Sequence, residues 1–151
     1  MIFIFLAIAL FGLDYGVKYY VDKTYPLDEV HPILNGHIMI QKFYNTGAAY
    51  GFMQKHPHEM KQLHRLAVLL LLIVFGWFFV RNHPKDRMTT TGLALFAAGG
   101  LNNLFDRERK GHVVDYFWFP HKKKKKRRII YNLSDLFIFL GAILTTLGSR
   151  K

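Results

Sequence analysis

Apolar side chains gather into four long blocks along this chain, and polar and basic residues fill the connections between them. A helix that crosses hydrocarbon needs about 20 mostly apolar residues, or fewer where aromatic or basic ends reach into the interface. The blocks predict spans over about residues 1–20, 64–81, 88–105 and 133–148. The second holds an unbroken apolar stretch over 66–80, with Trp77 near its end. The third is rich in Gly92, Ala94, Ala97, Ala98, Gly99 and Gly100, small residues that let helices approach closely in lipid. Between the first two spans the Asn35-Gly36 pair signals a turn and the run 37–44 leans to strand, which predicts a small sheet. The connection over 111–131 has apolar flanks around a basic run and predicts a loose hairpin. The pattern defines an all-α membrane protein, a single integral-membrane domain over 1–151 with four transmembrane helices and a small β element.

Residues 2–13 could be the apolar core of a secretory signal peptide. No basic residue precedes them and no small-x-small cleavage site follows, so they read as a retained helix. Composition sharpens the picture in one respect. The chain is 51% apolar yet carries a formal charge of +11, and the two features are segregated along the sequence, which argues against a soluble basic nucleic-acid binder. Cysteine is absent, so any catalysis must use oxygen or nitrogen groups.

Four spans place both termini on one side. With that side taken as inside, Asp14 and Lys18 lie near the outer end of the first span, and Asn45, Gly47 and Tyr50 lie in an outer connection. The third span exits outside at Asn103, Asp106 and Arg107; Asp115 follows, and the fourth span enters from outside at Asn132 and Asp135. Ionisable groups at membrane depth are costly and usually mark a site, and here several converge on one face.

Each group also has an ordinary explanation. Asp14 and Lys18, four residues apart with the acid first, form an intrahelical ion pair, and that structural role comes first. Asn132 with Asp135 three residues on resembles a capping box; the same helix end favours an ionised carboxylate fit for a general base. Asp115 lies among Val113, Val114, Tyr116 and Phe117, either as a plain strand residue or as a desolvated acid with a raised pKa. A second carboxylate near it would share a proton, one acid activating water while the other donates, and the sequence does not decide which does which. Asp106 through Lys110 is a solvated cluster past a helix end, or Arg107 holds a substrate carbonyl or a lipid phosphate. For the eight histidines, neutral interfacial side chains are a simpler account than a metal site. The run 122–128, opening with Lys122 and closing with Arg127 and Arg128, reads first as a solvated loop and next as a clasp for anionic lipid headgroups or the substrate's flanking region.

Five stretches in order resemble the lipoprotein signal peptidase (signal peptidase II) family. Asp14 and Lys18 match its Asp-x-x-x-Lys motif, and residues 45–50, from Asn45 through Gly47 to Tyr50, match Asn-x-Gly-Ala-Ala-aromatic. Residues 99–107, ending in Asn103, Asp106 and Arg107, match Asn-x-x-Asp-Arg, while 113–117 and 131–135 match the two catalytic-aspartate motifs. The resemblance implies an aspartic endopeptidase without metal or cofactor, with Asp115 and Asp135 catalytic. By the same resemblance, such an enzyme is expected to cleave diacylglyceryl-modified prolipoproteins before the lipid-bearing cysteine. By matching position, Asn45, Asn103, Arg107 and Asn132 are expected to orient substrate and dyad, with Asp14, Lys18, Gly47 and Asp106 in support. It further implies a monomer in the bacterial cytoplasmic membrane, with the site and a small sheet on the extracytoplasmic face. Tyr15, Asn102 and Ser134 depart from the usual Gln, Gly and Ala of the family, and Asn102 is expected to alter helix packing beside the site. Charge bias argues the reverse orientation: Arg81, Lys85, Arg87, Arg150 and Lys151 lie on the termini side and the other basic residues, apart from Lys18, lie outside. Site residues share one face in either orientation. The alternative function is a non-catalytic transporter or lipid-binding assembly factor.

Overall fold

The computed structural model describes residues 1–48, 52–120 and 128–150; Tyr50 and nearly all of the basic run therefore lie outside the described residues, although Arg128 is within them. In chain order the elements are α1 (Ile2–Thr24), β1 (Val30–Ile33), β2 (Ile38–Asn45), α2 (Pro57–Arg81), α3 (Arg87–Lys110), β3 (Val113–Trp118) and α4 (Leu133–Gly148). Three helices run past the apolar blocks that announce them, because polar residues continue the same backbone hydrogen bonding beyond the apolar stretch. α2 begins at Pro57, whose missing N–H costs nothing in a first turn, and α3 continues through its basic end to Lys110. α4 begins where the Asn132 cap sets it.

α3 is the central element, packed against α1, α2 and α4. That position explains its composition. A helix covered by other helices needs small and polar residues matched to its neighbours, not an apolar surface matched to lipid. Thr89, Thr90, Ala94, Ala97, Ala98, Asn102, Asn103, Asp106 and Arg107 are all buried on it. The outward apolar residues belong to α1 and α2: Ile2, Phe5 and Ile8 on one, Leu66, Leu69, Ile73, Trp77 and Val80 on the other are exposed. By length and mean hydropathy, α1 (1.7) and α2 (2.3) are the two helices suited to crossing a membrane, while α4 is apolar but only 16 residues long.

The α3–α4 seam is the tightest in the molecule. A Cβ added at Gly141 would stand 2.6 Å from the Gly92 carbonyl oxygen and 2.6 Å from the Phe96 nitrogen, so backbone meets backbone there. α1 meets α3 through Tyr15, whose ring lies edge-on to Phe105 at 5.7 Å and stacks on Phe11, accounting for an aromatic residue at that position.

The expected small sheet is present, antiparallel in the order β1-β2-β3. β1 and β2 are joined by a turn at Leu34–Gly36 in which all three residues take positive φ, so Asn35-Gly36 turns the chain but in a wider loop than a two-residue hairpin. The loose hairpin expected over 111–131 is realised only in part. β3 pairs with β2, and among the described residues its ladder to the far flank is one bridge, Phe117 with Tyr131, with 121–127 outside them. Register slips between Ile40 and Phe43, and this irregularity sets Asp115 opposite Phe43.

Replacing Gly141 with alanine should force α3 and α4 apart and cost about 1–3 kcal/mol, read as a lowered melting temperature in detergent.

Candidate functional site

Asp115 lies at the middle of β3, every residue of which is buried. Each of its carboxylate oxygens accepts one amide N–H: Asn132 Nδ2 donates to Oδ1 at 2.7 Å and Asn45 Nδ2 to Oδ2 at 2.9 Å. Burial pushes the pKa of Asp115 above the ordinary carboxylate range, and the charge of Asp135 adds to the rise; the two amide donors pull it back only partway.

Asp135 sits in the first turn of α4, half-buried. The capping box is complete: Asn132 Oδ1 accepts from the Asp135 nitrogen at 2.9 Å, and Asp135 Oδ2 accepts from the Asn132 nitrogen at 3.1 Å. Its other oxygen accepts from Asn103 Nδ2 at 3.0 Å. The capping and site roles are therefore served by the same atoms, since Asn132 also touches Asp115 and donates to Asn103 Oδ1 at 3.2 Å.

Behind these groups lies a buried charge cluster. Lys18 Nζ, 1% exposed, donates to Asn103 Oδ1 at 2.7 Å and Asn102 Oδ1 at 2.8 Å, and lies 3.1 Å from Asp106 and 3.3 Å from Asp14. Two donors converge on the Asn103 oxygen, so its nitrogen must face Asp135. Asp14 ties α1 to α4 and β3: it accepts from the Ser134 nitrogen at 3.1 Å, from the Ser134 hydroxyl, and from the Tyr116 hydroxyl at 2.8 Å. Burial and the nearby Asp14 charge raise the Tyr116 pKa and keep it a phenol, which also accepts from the Leu133 nitrogen. Ser134 thus supplies a hydrogen bond that an alanine there would lack. Asp106, open in the sequence between a solvated cluster and a supporting part in the site, is 1% exposed and accepts from the Val114 nitrogen at 3.3 Å. Arg107 is buried too; only Glu108, Arg109 and Lys110 of that cluster are exposed.

Arg107 donates through Nη2 to the Gly47 carbonyl oxygen, and its Nη1 lies 3.5 Å from His64 Nδ1. The loop presenting that carbonyl is held by Asn45, whose Oδ1 accepts from the Gly47 nitrogen at 3.0 Å. A side chain on Gly47 would meet the Phe52 carbonyl at 2.6 Å, so only glycine fits at that position. The Arg107 Nε is buried and has no partner among the described residues.

One cavity of about 760 Å³ brings these residues together: Asn45, Asn103, Arg107, Asp115 and Asp135 line it, with His64, and apolar walls come from Phe43, Met60, Leu63, Ala67, Ile130 and Ile138. Asp14, Lys18 and Asp106 lie behind the wall, and Asn132 links the two acids from below. His64, Tyr116 and Ser134 are the members that sequence reasoning missed. His64 was one of many histidines, but Tyr116 and Ser134 each adjoin a predicted site acid.

Two acids facing one cavity sit in a fold that matches two solved structures over nearly the whole chain. The structures are entitled "Bacterial membrane enzyme structure by the in meso method" at 1.9 Å and 2.3 Å resolution. They superpose with TM-scores of 0.81 and 0.82 at 23% and 22% identity, covering 99% and 98% of this chain and 92% and 87% of theirs. The family model described as Signal peptidase (SPase) II matches residues 6–150, and the chain belongs to that family. It is 32% identical over 143 residues to the lipoprotein signal peptidase of Clostridioides difficile (strain 630), spanning 95% of this chain and 90% of that protein. It is 30% identical over 148 residues to that of Streptococcus pneumoniae (strain ATCC BAA-255 / R6), spanning 97% and 90%. Membership makes the chain a membrane protease that removes signal peptides from prolipoproteins.

The raised pKa of Asp115 has a consequence for stability. Between its ordinary and its raised value the folded chain holds a proton that the unfolded chain has released, so stability falls as pH rises through that window. The melting temperature of the wild type should therefore drop relative to that of Asp115→Asn as pH is raised from acid towards neutrality.

Proposed function

We propose that the chain is an intramembrane aspartyl endopeptidase that cleaves diacylglyceryl-modified prolipoproteins immediately before the lipid-bearing cysteine. The carrying observation is that Asp115 and Asp135, distant in sequence, face one cavity and are bridged by the Asn132 and Asn103 amides. A water held by the pair loses a proton to one carboxylate as its oxygen bonds to the scissile carbonyl carbon, while the other carboxyl gives its proton to the carbonyl oxygen. Proton transfer to the amide nitrogen then breaks the C–N bond. Arg107 lines the cavity as a cation that can face a substrate carbonyl or a lipid phosphate, and the apolar walls suit acyl chains.

All four helices span the membrane in this reading, α3 and α4 screened by one another and by their neighbours, and both termini lie in the cytoplasm. The site then opens on the extracytoplasmic side. Several outer basic groups are engaged within the fold, Lys61 and Arg65 with Glu108 and Lys110 with Asp22 and Asp106, which accommodates positive charge on that face. Family membership weighs against a transporter or a lipid-binding assembly factor.

Asp115→Asn and Asp135→Asn should each fold, purify as the wild type does, and lose cleavage of a diacylglyceryl-modified precursor by about 10³-fold or more. Wild-type turnover in either protein would end this reading.

A further inference from the structure

We infer that Asn102 is a positioning residue for the reaction, holding the Lys18 ammonium so that Lys18 in turn fixes the amide of Asn103 against Asp135. The inference rests on the proposed role of Asp115 and Asp135.

Asn102 is fully buried and does not line the cavity. Its amide is held at both ends by α1: Nδ2 donates to the Phe11 carbonyl oxygen at 2.7 Å, and Oδ1 accepts from Lys18 Nζ at 2.8 Å. A carbonyl on one side and an ammonium on the other allow only one orientation of the amide. Asn102 therefore forms a strut between two points on α1, and the far point is a charge.

That charge has three N–H donors and four acceptors around it. The amide oxygens of Asn102 and Asn103, at 2.8 and 2.7 Å, are closer than the carboxylates of Asp106 and Asp14, at 3.1 and 3.3 Å. The ammonium is thus drawn to the site side of the cluster instead of collapsing onto its counter-ions. Without the Asn102 oxygen it swings towards Asp14 and Asp106. The Asn103 oxygen then loses its shortest contact and keeps only the longer one from Asn132, at 3.2 Å. With that restraint weakened, the Asn103 amide turns, and Asp135 faces an oxygen part of the time where it now faces a donor. The effect falls on the reacting pair and not on substrate binding, since Asn102 touches no part of the cavity.

Asn102→Leu keeps the volume of the side chain and removes both hydrogen bonds; Asn102→Ala also leaves room for a water to replace the lost oxygen. With a diacylglyceryl-modified precursor in detergent micelles, the leucine variant should show kcat reduced about tenfold with KM unchanged, and the alanine variant a smaller loss, about threefold. Melting temperature is measured beside each. Wild-type kcat in Asn102→Leu overturns the inference, as does a loss of activity that merely follows the folded fraction; if the leucine variant does not fold, wild-type kcat in Asn102→Ala overturns it. Asp115→Asn is assayed alongside. Should it cleave, the reading of the acid pair fails; should it be inactive while the folded Asn102 variants turn over normally, only the role of Asn102 fails.

Discussion

A lysine ammonium buried among helices is the constraint on which this structure depends. An uncompensated charge there costs several kcal/mol, so Lys18 must find its acceptors, and they come from elements far apart in sequence: Asp14 from its own helix, Asn102, Asn103 and Asp106 from α3. Each of those acceptors binds something further. Asp14 holds the start of α4 through Ser134 and β3 through Tyr116, Asp106 holds the Val114 nitrogen, and Asn103 holds Asp135. Satisfying one charge therefore fixes α1, α3, α4 and β3 relative to one another. Those are the elements that present both acids.

The surroundings make this arrangement economical. In lipid there is no hydrophobic gain from pressing apolar surfaces together, so helices associate through close packing and interhelical hydrogen bonds. The distribution of side chains follows that logic. The most completely buried larger side chains include Lys18, Asn102, Asn132, Asp14 and Asp106, whereas Phe5, Leu66, Ile73 and Val80 point outward. Close packing sits along α3–α4, where Gly92 and Gly141 let backbones touch, and polar bonding sits at the end of the bundle beside the sheet. Rigidity near Gly141 and chemistry near Asp115 are separate parts of one packing solution.

The sequence made the site more legible than the packing behind it. Asp115 and Asp135 announce themselves as acids in apolar or helix-start settings, and the Asn132 cap was readable because capping is local, decided within four residues. The residues around Asp106 left it open between a solvated cluster and the supporting part that the resemblance implies, because its partners are not local. It adjoins Glu108, Arg109 and Lys110, which are exposed, while Lys18 of α1 and the Val114 nitrogen of β3 close on its carboxylate. The third and fourth helices were found as apolar blocks, yet why α3 is so polar emerges only when three other helices are seen to cover it. Register in the sheet was beyond reach, since it depends on the irregularity between Ile40 and Phe43. Tyr15 and Ser134 looked like departures from a pattern, and each proves to have a partner of its own, Phe105 and Asp14.

The bonding around the two acids has a direction that bears on the proposed chemistry. Asp115 takes one N–H on each oxygen, from Asn132 and Asn45; Asp135 also takes one on each, from Asn103 and from the Asn132 backbone. All four partners are nitrogen donors that accept nothing in return. Each carboxylate oxygen retains a second lone pair, and no described partner is positioned to take a proton from either acid. Among the described residues, the groups bonded to the two acids therefore offer no acceptor for a proton that either acid holds. The protein surrounds the acids with groups that orient them and stabilise their charge but do not compete for their proton, which is the condition under which a bound water or a substrate carbonyl becomes its recipient.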